Sequence, residues 1–239
     1  MANVTSPVLL DDTLSAIADA VEEIGRPVII QNQYGSWKKI KDDKLPELMA
    51  QVDTGDIDLT NDLGWESGDE RTVTLTTGEE ITIILTDPEH YTLANATESG
   101  QTKCNFTLVL KACLNTTHNM NSSATNSGSW NSSAMRTWLN GTVINYLPAG
   151  LKSILKEFNV ITATEYNAST LTTSVDKLAL FAEKEVQGSR TYSNTTEANA
   201  LTQLDYFKTS SNKIKTVNGS ASYWWLRSPY SDDTGYFCI

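Results

Sequence analysis

Between Arg71 and Leu85 the apolar residues fall on alternate positions, a spacing that only an extended chain places on one face. Val73 and Leu75 alternate with Thr72, Thr74 and Thr76, Thr77-Gly78-Glu79 supplies a turn, and Ile81, Ile83 and Leu85 alternate back. β-Branched residues on both arms suit a half-buried pleated surface, so this stretch predicts a β-hairpin.

Before the hairpin the period is helical. Asp12 or Thr13 caps a helix carrying Leu14, Ile17, Ala18, Val21 and Ile24, which Gly25-Arg26-Pro27 stops. Val28-Ile29-Ile30 predicts a short strand, and Leu45 to Val52 a second helical stretch. One apolar stripe per helix is too little for an independent core. With the acidic linker 53–62 behind them, these elements read either as docked surface helices or as an attachment and oligomerisation arm. The division adopted is an N-terminal helical arm and linker over residues 1–62, then one domain over 63–239.

After the hairpin, strands and helices mix with long polar loops. Phe106 to Leu110 predicts a strand, and residues 115–133 a loop of Asn, Ser, Thr and Gly around Trp130. Ser132 or Ser133 caps a helix through Met135, Trp138 and Leu139 that ends at Asn140-Gly141, which places Trp138 in the core. Pro148 opens another helix, with Leu151, Ile154 and Leu155 on one face. Leu178 to Phe181 reads as a buried strand, 197–207 as a helix, and Tyr223 to Leu226 and Gly235 to Ile239 as strands around a Ser-Pro turn. The class is α+β.

Charge excludes several partners. Residues 1–100 hold 20 acidic and 6 basic side chains, a net −14, against +3 in the remainder. Phosphate contacts need clustered Lys and Arg, so nucleic acid is not expected. No apolar run reaches the roughly 18–20 residues of a membrane span. The opening Met1 to Pro7 has neither a basic n-region nor an apolar h-region, so no secretory signal is read there. Cys104, Cys113 and Cys238 are too few for a disulfide framework, which suits synthesis in a reducing cytoplasm. Ten N-x-[ST] triplets then read as polar loop surface rather than glycosylation sites.

Catalytic and metal patterns are not evident. His90 and His118 pair with no nucleophile in triad spacing, and Cys104-x8-Cys113-x4-His118 is not a zinc spacing. Asp53 to Asp58 lacks the glycine and terminal Glu of a calcium loop and reads as solvated linker. No catalytic residue, metal or cofactor is assigned, and the expectation is a protein that is not an enzyme.

Three motifs are distinctive in combination. They are Gly68 to Glu79 ("GDERTVTLTTGE"), Gly128 to Gly141 ("GSWNSSAMRTWLNG") and Tyr223 to Pro229 ("YWWLRSP"). On these the chain resembles an uncharacterised "WWLRSP" domain family of gut bacteria and their phages, from about Trp65 to Tyr236. That family looks like a variant of the C-type lectin fold, shared with the variable ligand-binding proteins of diversity-generating retroelements and with formylglycine-generating enzymes. Such domains sit among phage tail and fibre genes, and the opening "SPVLLDDTLSAIADAV" is similar to the arms of phage structural proteins.

The resemblance implies a phage virion component, made in the bacterial host cytoplasm. Its arm would join other virion proteins and make a homo-oligomer, and its domain would meet a host cell-surface ligand. The alternatives are a structural decoration protein without ligand and a formylglycine-generating-like enzyme, which would need a reactive cysteine pair. Relatives continue beyond the position of Phe237, so either this chain is truncated or Gly235 to Ile239 supplies the closing strand. The calcium-site tripeptides of sugar-binding lectins are absent. For the displayed surface, strand alternation with Trp224 and Leu226 buried leaves Tyr223, Trp225 and Arg227 on an outer face. Tyr230, Asp232 and Asp233 follow in the turn released by Ser228-Pro229. Aromatic rings and arginine are the composition of contact hot spots. The competing reading packs both tryptophan rings and uses Arg227 to bridge loop carbonyls.

Overall fold

In the computed structural model, which describes residues 25–26 and 29–239, the hairpin forms as its alternation requires. β1 (Glu70–Thr74) runs antiparallel to β2 (Glu80–Thr86), with Val73 opposite Ile81 and Arg71 opposite Ile83. β3 (Thr107–Leu110) pairs the other side of β2 and completes a sheet in the order β1-β2-β3. Val73, Leu75, Ile81, Ile83 and Leu85 are all buried.

What buries them comes from the first 65 residues. Residues 29–34 are helical (α1), and α2 spans Leu45–Thr54. Ile30, Trp37, Leu45, Leu48, Ile57, Leu63 and Trp65 share one core with the sheet, and the rings of Trp37 and Trp65 lie 5.3 Å apart. Three expectations change here. Ile29 and Ile30 are helical rather than extended, and Gly25 and Arg26 are helical rather than a stop. The linker is not a solvated spacer, because Ile57 and Leu59 are buried. The boundary at 62/63 therefore cuts through a single core. The helix expected from Asp12 to Ile24 lies outside the described residues.

α5 (Ala149–Ile154) docks on the same core through Leu151. Its first N–H groups lack intrahelical partners, and Asp42 supplies them: Gly150 N donates to Oδ2 at 2.6 Å and Leu151 N to Oδ1 at 2.9 Å. A Cβ at Gly150 would fall 1.8 Å from the Asp42 carbonyl, so only glycine allows this approach.

A second core lies between α4 (Ala134–Gly141) and the ribbon of β4 (Phe158–Ala163) with β5 (Leu171–Asp176). Ser133 caps α4, its Oγ accepting from Arg136 N at 3.0 Å. The short α3 (Ser129–Ser132) puts Trp130 at the centre, fully buried, with Nε1 donating to Asp176 Oδ2 at 2.9 Å. Trp138 is only half-buried and stacks on His118, centroids 4.7 Å apart, so it flanks this core rather than filling it.

A third core joins Val186 of α6 (Glu183–Gln187) to Leu204, Phe207, Leu226 and Cys238, while α7 (Thr195–Ala200) packs on β4. Leu178 to Phe181 is irregular rather than a strand, and a 3-10 turn at Asp205–Lys208 replaces the last part of the expected helix. β6 (Lys215–Val217) and β7 (Ser220–Ser222) make a small hairpin that ends just before Tyr223. The whole is α+β.

Candidate functional site

Tyr223 to Leu226 is not a strand, but its side chains still alternate. Trp224 and Leu226 pack in the third core and Trp225 against the second, so both faces of Trp224 to Leu226 are covered. Its backbone is held on two flanks as well: Leu226 N donates to Cys238 O and Arg227 N to Phe181 O, each at 2.9 Å. Residues 226–230 meet 236–238 antiparallel, through Cys238 N to Ser228 O at 2.9 Å and Tyr230 N to Tyr236 O at 3.0 Å. The last residues thus close on the WWLRSP stretch.

Arg227 accordingly points inward and is 1% exposed, which corrects its expected place on an outer face. A buried guanidinium needs compensation. Glu185 provides it: Nη2 donates to Oε1 at 2.8 Å and Nη1 to Oε2 at 2.5 Å. Nη1 also donates to Leu180 O at 2.8 Å, so the loop-bridging alternative describes this residue. Burial alone would depress the Arg227 pKa, but the Glu185 carboxylate raises it.

Glu185 and Glu197 act on this arginine, and with Glu183 they are three buried glutamates that each fasten backbone. Glu185 accepts from Ala182 N at 2.8 Å, closing the first turn of α6. Burial would raise its carboxyl, yet the Arg227 charge and hydrogen bonds outweigh that and hold it at about 2. His90 Nε2 lies 3.9 Å from Oε1, beyond hydrogen-bonding distance. Glu197 accepts from Ala163 N at 2.8 Å and from Ser228 Oγ, and burial pushes its pKa up. Ser228 Oγ in turn accepts from Glu183 N at 2.9 Å. The Glu183 carboxylate receives the N–H groups of Thr191, Tyr192 and Ser193, the last at 2.8 Å.

That last set of bonds fixes the surface above. Pinning residues 191–193 sets the position of Tyr192, and Ser231 N donates to Tyr192 O at 2.7 Å. Asn126, 1% exposed, ties down the other wall: Nδ2 donates to Asp233 O and Tyr236 O at 2.8 Å each and lies 3.4 Å from Tyr230 O. The Tyr192 and Tyr230 rings stack at 5.8 Å and 28°. Together with Asp233, Tyr236, Phe237, Cys238 and Ile239 they line a groove of ≈ 420 Å³. Tyr192 is 54% and Tyr236 61% exposed, although the backbone beneath both is anchored.

Of the residues singled out in the sequence, Tyr230 and Asp233 meet in this groove. Asp232 is exposed beside them, accepting from Ser231 Oγ at 3.0 Å. Tyr223, 87% exposed, adjoins β7 and does not line the groove; Trp225 is half-buried core. Tyr192, Tyr236 and Asn126 were not anticipated. Tyr236 carried a signal, as the third tyrosine of the tail, but Tyr192 sits in an unremarkable Thr-Tyr-Ser.

A second cleft of ≈ 290 Å³ is lined by Arg136, Asp176 and Lys177 among others, but Arg136 Nε already donates to Asp176 Oδ1 at 2.7 Å. Lys215 is enclosed by the rings of Tyr206, Phe207 and Trp224 and donates to Leu110 O at 2.7 Å; burial lowers it to about 8. Burial also pushes the Cys113 and Cys238 thiols up, which favours the unreactive thiol over the thiolate. Among the described residues no group of His, Cys, Asp and Glu is arranged to hold a metal ion.

No curated protein and no solved structure matches the chain. One family does, a domain of unknown function (DUF6273), over residues 105–239. The match takes in the Arg227–Glu185 pair and the tyrosine groove together, and leaves out α1, α2 and the β1–β2 hairpin. Since it covers more than half of the sequence, the chain belongs to the DUF6273 family.

Proposed function

We propose that the protein is a phage virion component, of the tail, fibre or head surface, whose C-type lectin-like domain meets the host cell surface through the tyrosine groove. The observation that carries this reading is the combination of anchored backbone with the exposed rings of Tyr192 and Tyr236 beside the half-buried Tyr230. Rings held in place before contact lose little conformational freedom on binding, which is how a small surface gains affinity. Polar hydroxyls at the ring tips and the Asp232 and Asp233 carboxylates suit a polyhydroxylated ligand, since each ring offers an apolar face and a polar edge. The virion assignment rests on the resemblance of the Gly128–Gly141 and Tyr223–Pro229 motifs to domains among tail and fibre genes. In this reading the N-terminal part joins other virion proteins and forms the homo-oligomer.

The test is adhesion. Labelled full-length protein is added to host cells and counted by flow cytometry, beside Tyr236→Ala and Tyr192→Ala. Adhesion that these substitutions abolish at unchanged melting temperature supports the proposal. Incorporation into particles with no adhesion by the parent protein would favour the structural decoration reading instead.

A further inference from the structure

The groove carries a charge asymmetry that narrows its ligand. Asp233 is the charged side chain in its lining, and no Lys or Arg lines it among the described residues. Asp233 Oδ1 is occupied by Gly235 N at 2.6 Å, which fixes the carboxylate while Oδ2 makes no hydrogen bond among the described residues. The remaining walls are the rings of Tyr192, Tyr230, Tyr236 and Phe237 with Cys238 and Ile239, and the negative face of an aromatic ring attracts cations. The volume of ≈ 420 Å³ is in the range of small-molecule sites, larger than one ammonium head requires.

Resting on the groove reading above, we infer that the groove selects a protonated amino sugar: a saccharide unit with a free amine, part of a cell-surface polysaccharide. The pyranose ring lies on the Tyr192–Tyr230 stack or on Tyr236, and the ammonium faces Asp233 Oδ2. A neutral or N-acetylated unit keeps the ring contact and loses the charge contact. An acidic sugar meets the Asp233 carboxylate with the same sign of charge. A lysine side chain of a protein supplies the ammonium without the flat ring, so it fills the groove poorly.

The experiment is calorimetric titration of the full chain with fully de-N-acetylated chitotetraose, its tetra-N-acetyl counterpart and tetralysine. The de-N-acetylated sugar should bind about tenfold or more tighter than the N-acetylated one, in keeping with one surface charge contact. The preference should shrink in high salt. Asp233→Asn should remove the preference and retain the residual ring binding, while Tyr236→Ala should weaken both sugars. Equal binding of the two sugars, or a preference untouched by Asp233→Asn, overturns the charge selection. Tetralysine binding as well as the amino sugar overturns the saccharide assignment in favour of a basic peptide. Equal sugar binding abolished by Tyr236→Ala would keep the groove and remove only the charge selection. Silence of both sugars beside Tyr236-dependent cell adhesion would likewise overturn this inference alone.

Discussion

Arg227 and Glu185 face each other in the protein interior as a two-bond pair, Nη2 to Oε1 at 2.8 Å and Nη1 to Oε2 at 2.5 Å, with side chains 1% and 0% exposed. Removing one partner leaves the other as an uncompensated buried charge. Arg227→Ala or Glu185→Ala should therefore cost about 3–5 kcal/mol. Arg227→Lys should restore little, because an ammonium cannot make the two parallel bonds. Urea denaturation checks this; a midpoint unchanged in Arg227→Ala would mean the pair contributes nothing.

Acid should weaken the protein in a defined window. Glu185 is held at about 2 against an ordinary 4.5. A depressed carboxylate contributes stability that is fully present above the unfolded value and is lost as pH falls through the folded one. About 3 kcal/mol should disappear between pH 4.5 and 2, at 1.36 kcal/mol per unit. Glu197 is shifted the other way by burial, so its contribution is present below the unfolded value and is withdrawn as pH rises above it. Denaturation midpoints from pH 2 to 5 test the first window: in Glu185→Gln the protein should be weaker throughout and the slope shallower.

Two tryptophans of the Gly128–Gly141 motif should differ. Trp130 is fully buried and its Nε1 bonds Asp176, so Trp130→Ala should cost about 3–5 kcal/mol and strip a partner from a buried carboxylate. Trp138 is half-exposed beneath His118 and should cost about half as much, in proportion to the area it buries. Melting curves of the two variants give the order; equal losses would place Trp138 in the core after all.

Deleting residues 1–60 should unfold the protein rather than release a monomeric domain. Trp37, Leu45 and Leu48 are among its most completely buried side chains. Loss of each such side chain costs about 2–5 kcal/mol, against a total stability of about 5–15 kcal/mol. Circular dichroism of the shortened chain decides; a cooperative melt at the full-length temperature would contradict the shared core.

The elements legible in the sequence were those with a local pattern. The hairpin showed its period of two, and α4 its Ser133 cap and Gly141 end. β4 and β5 were missed because β5 reads Leu-Thr-Thr-Ser-Val-Asp, polar on the inward side too, where Ser174 and Asp176 are buried against Trp130. Ile29 and Ile30 looked like a strand because β-branched residues in a short run give no period. In the site, alternation rightly paired Trp224 with Leu226, but it could not say that a second core covers the opposite face. The partner of Arg227 lies 42 residues away and Asn126 reaches residues 104 to 110 positions on. No local spacing encodes such pairings.

The central claim, that the groove rings make contact while Arg227 and the glutamates hold them in place, is tested most directly by labelling tyrosine. The chain has 9 tyrosines, so their ring signals can be followed individually by NMR as host cell-surface polysaccharide is titrated in. The rings of Tyr192, Tyr230 and Tyr236 should shift, while Tyr223, 87% exposed but outside the groove, should not. Shifts at Tyr223 with the three groove rings unmoved would contradict the account and place the contact surface at the β6–β7 hairpin.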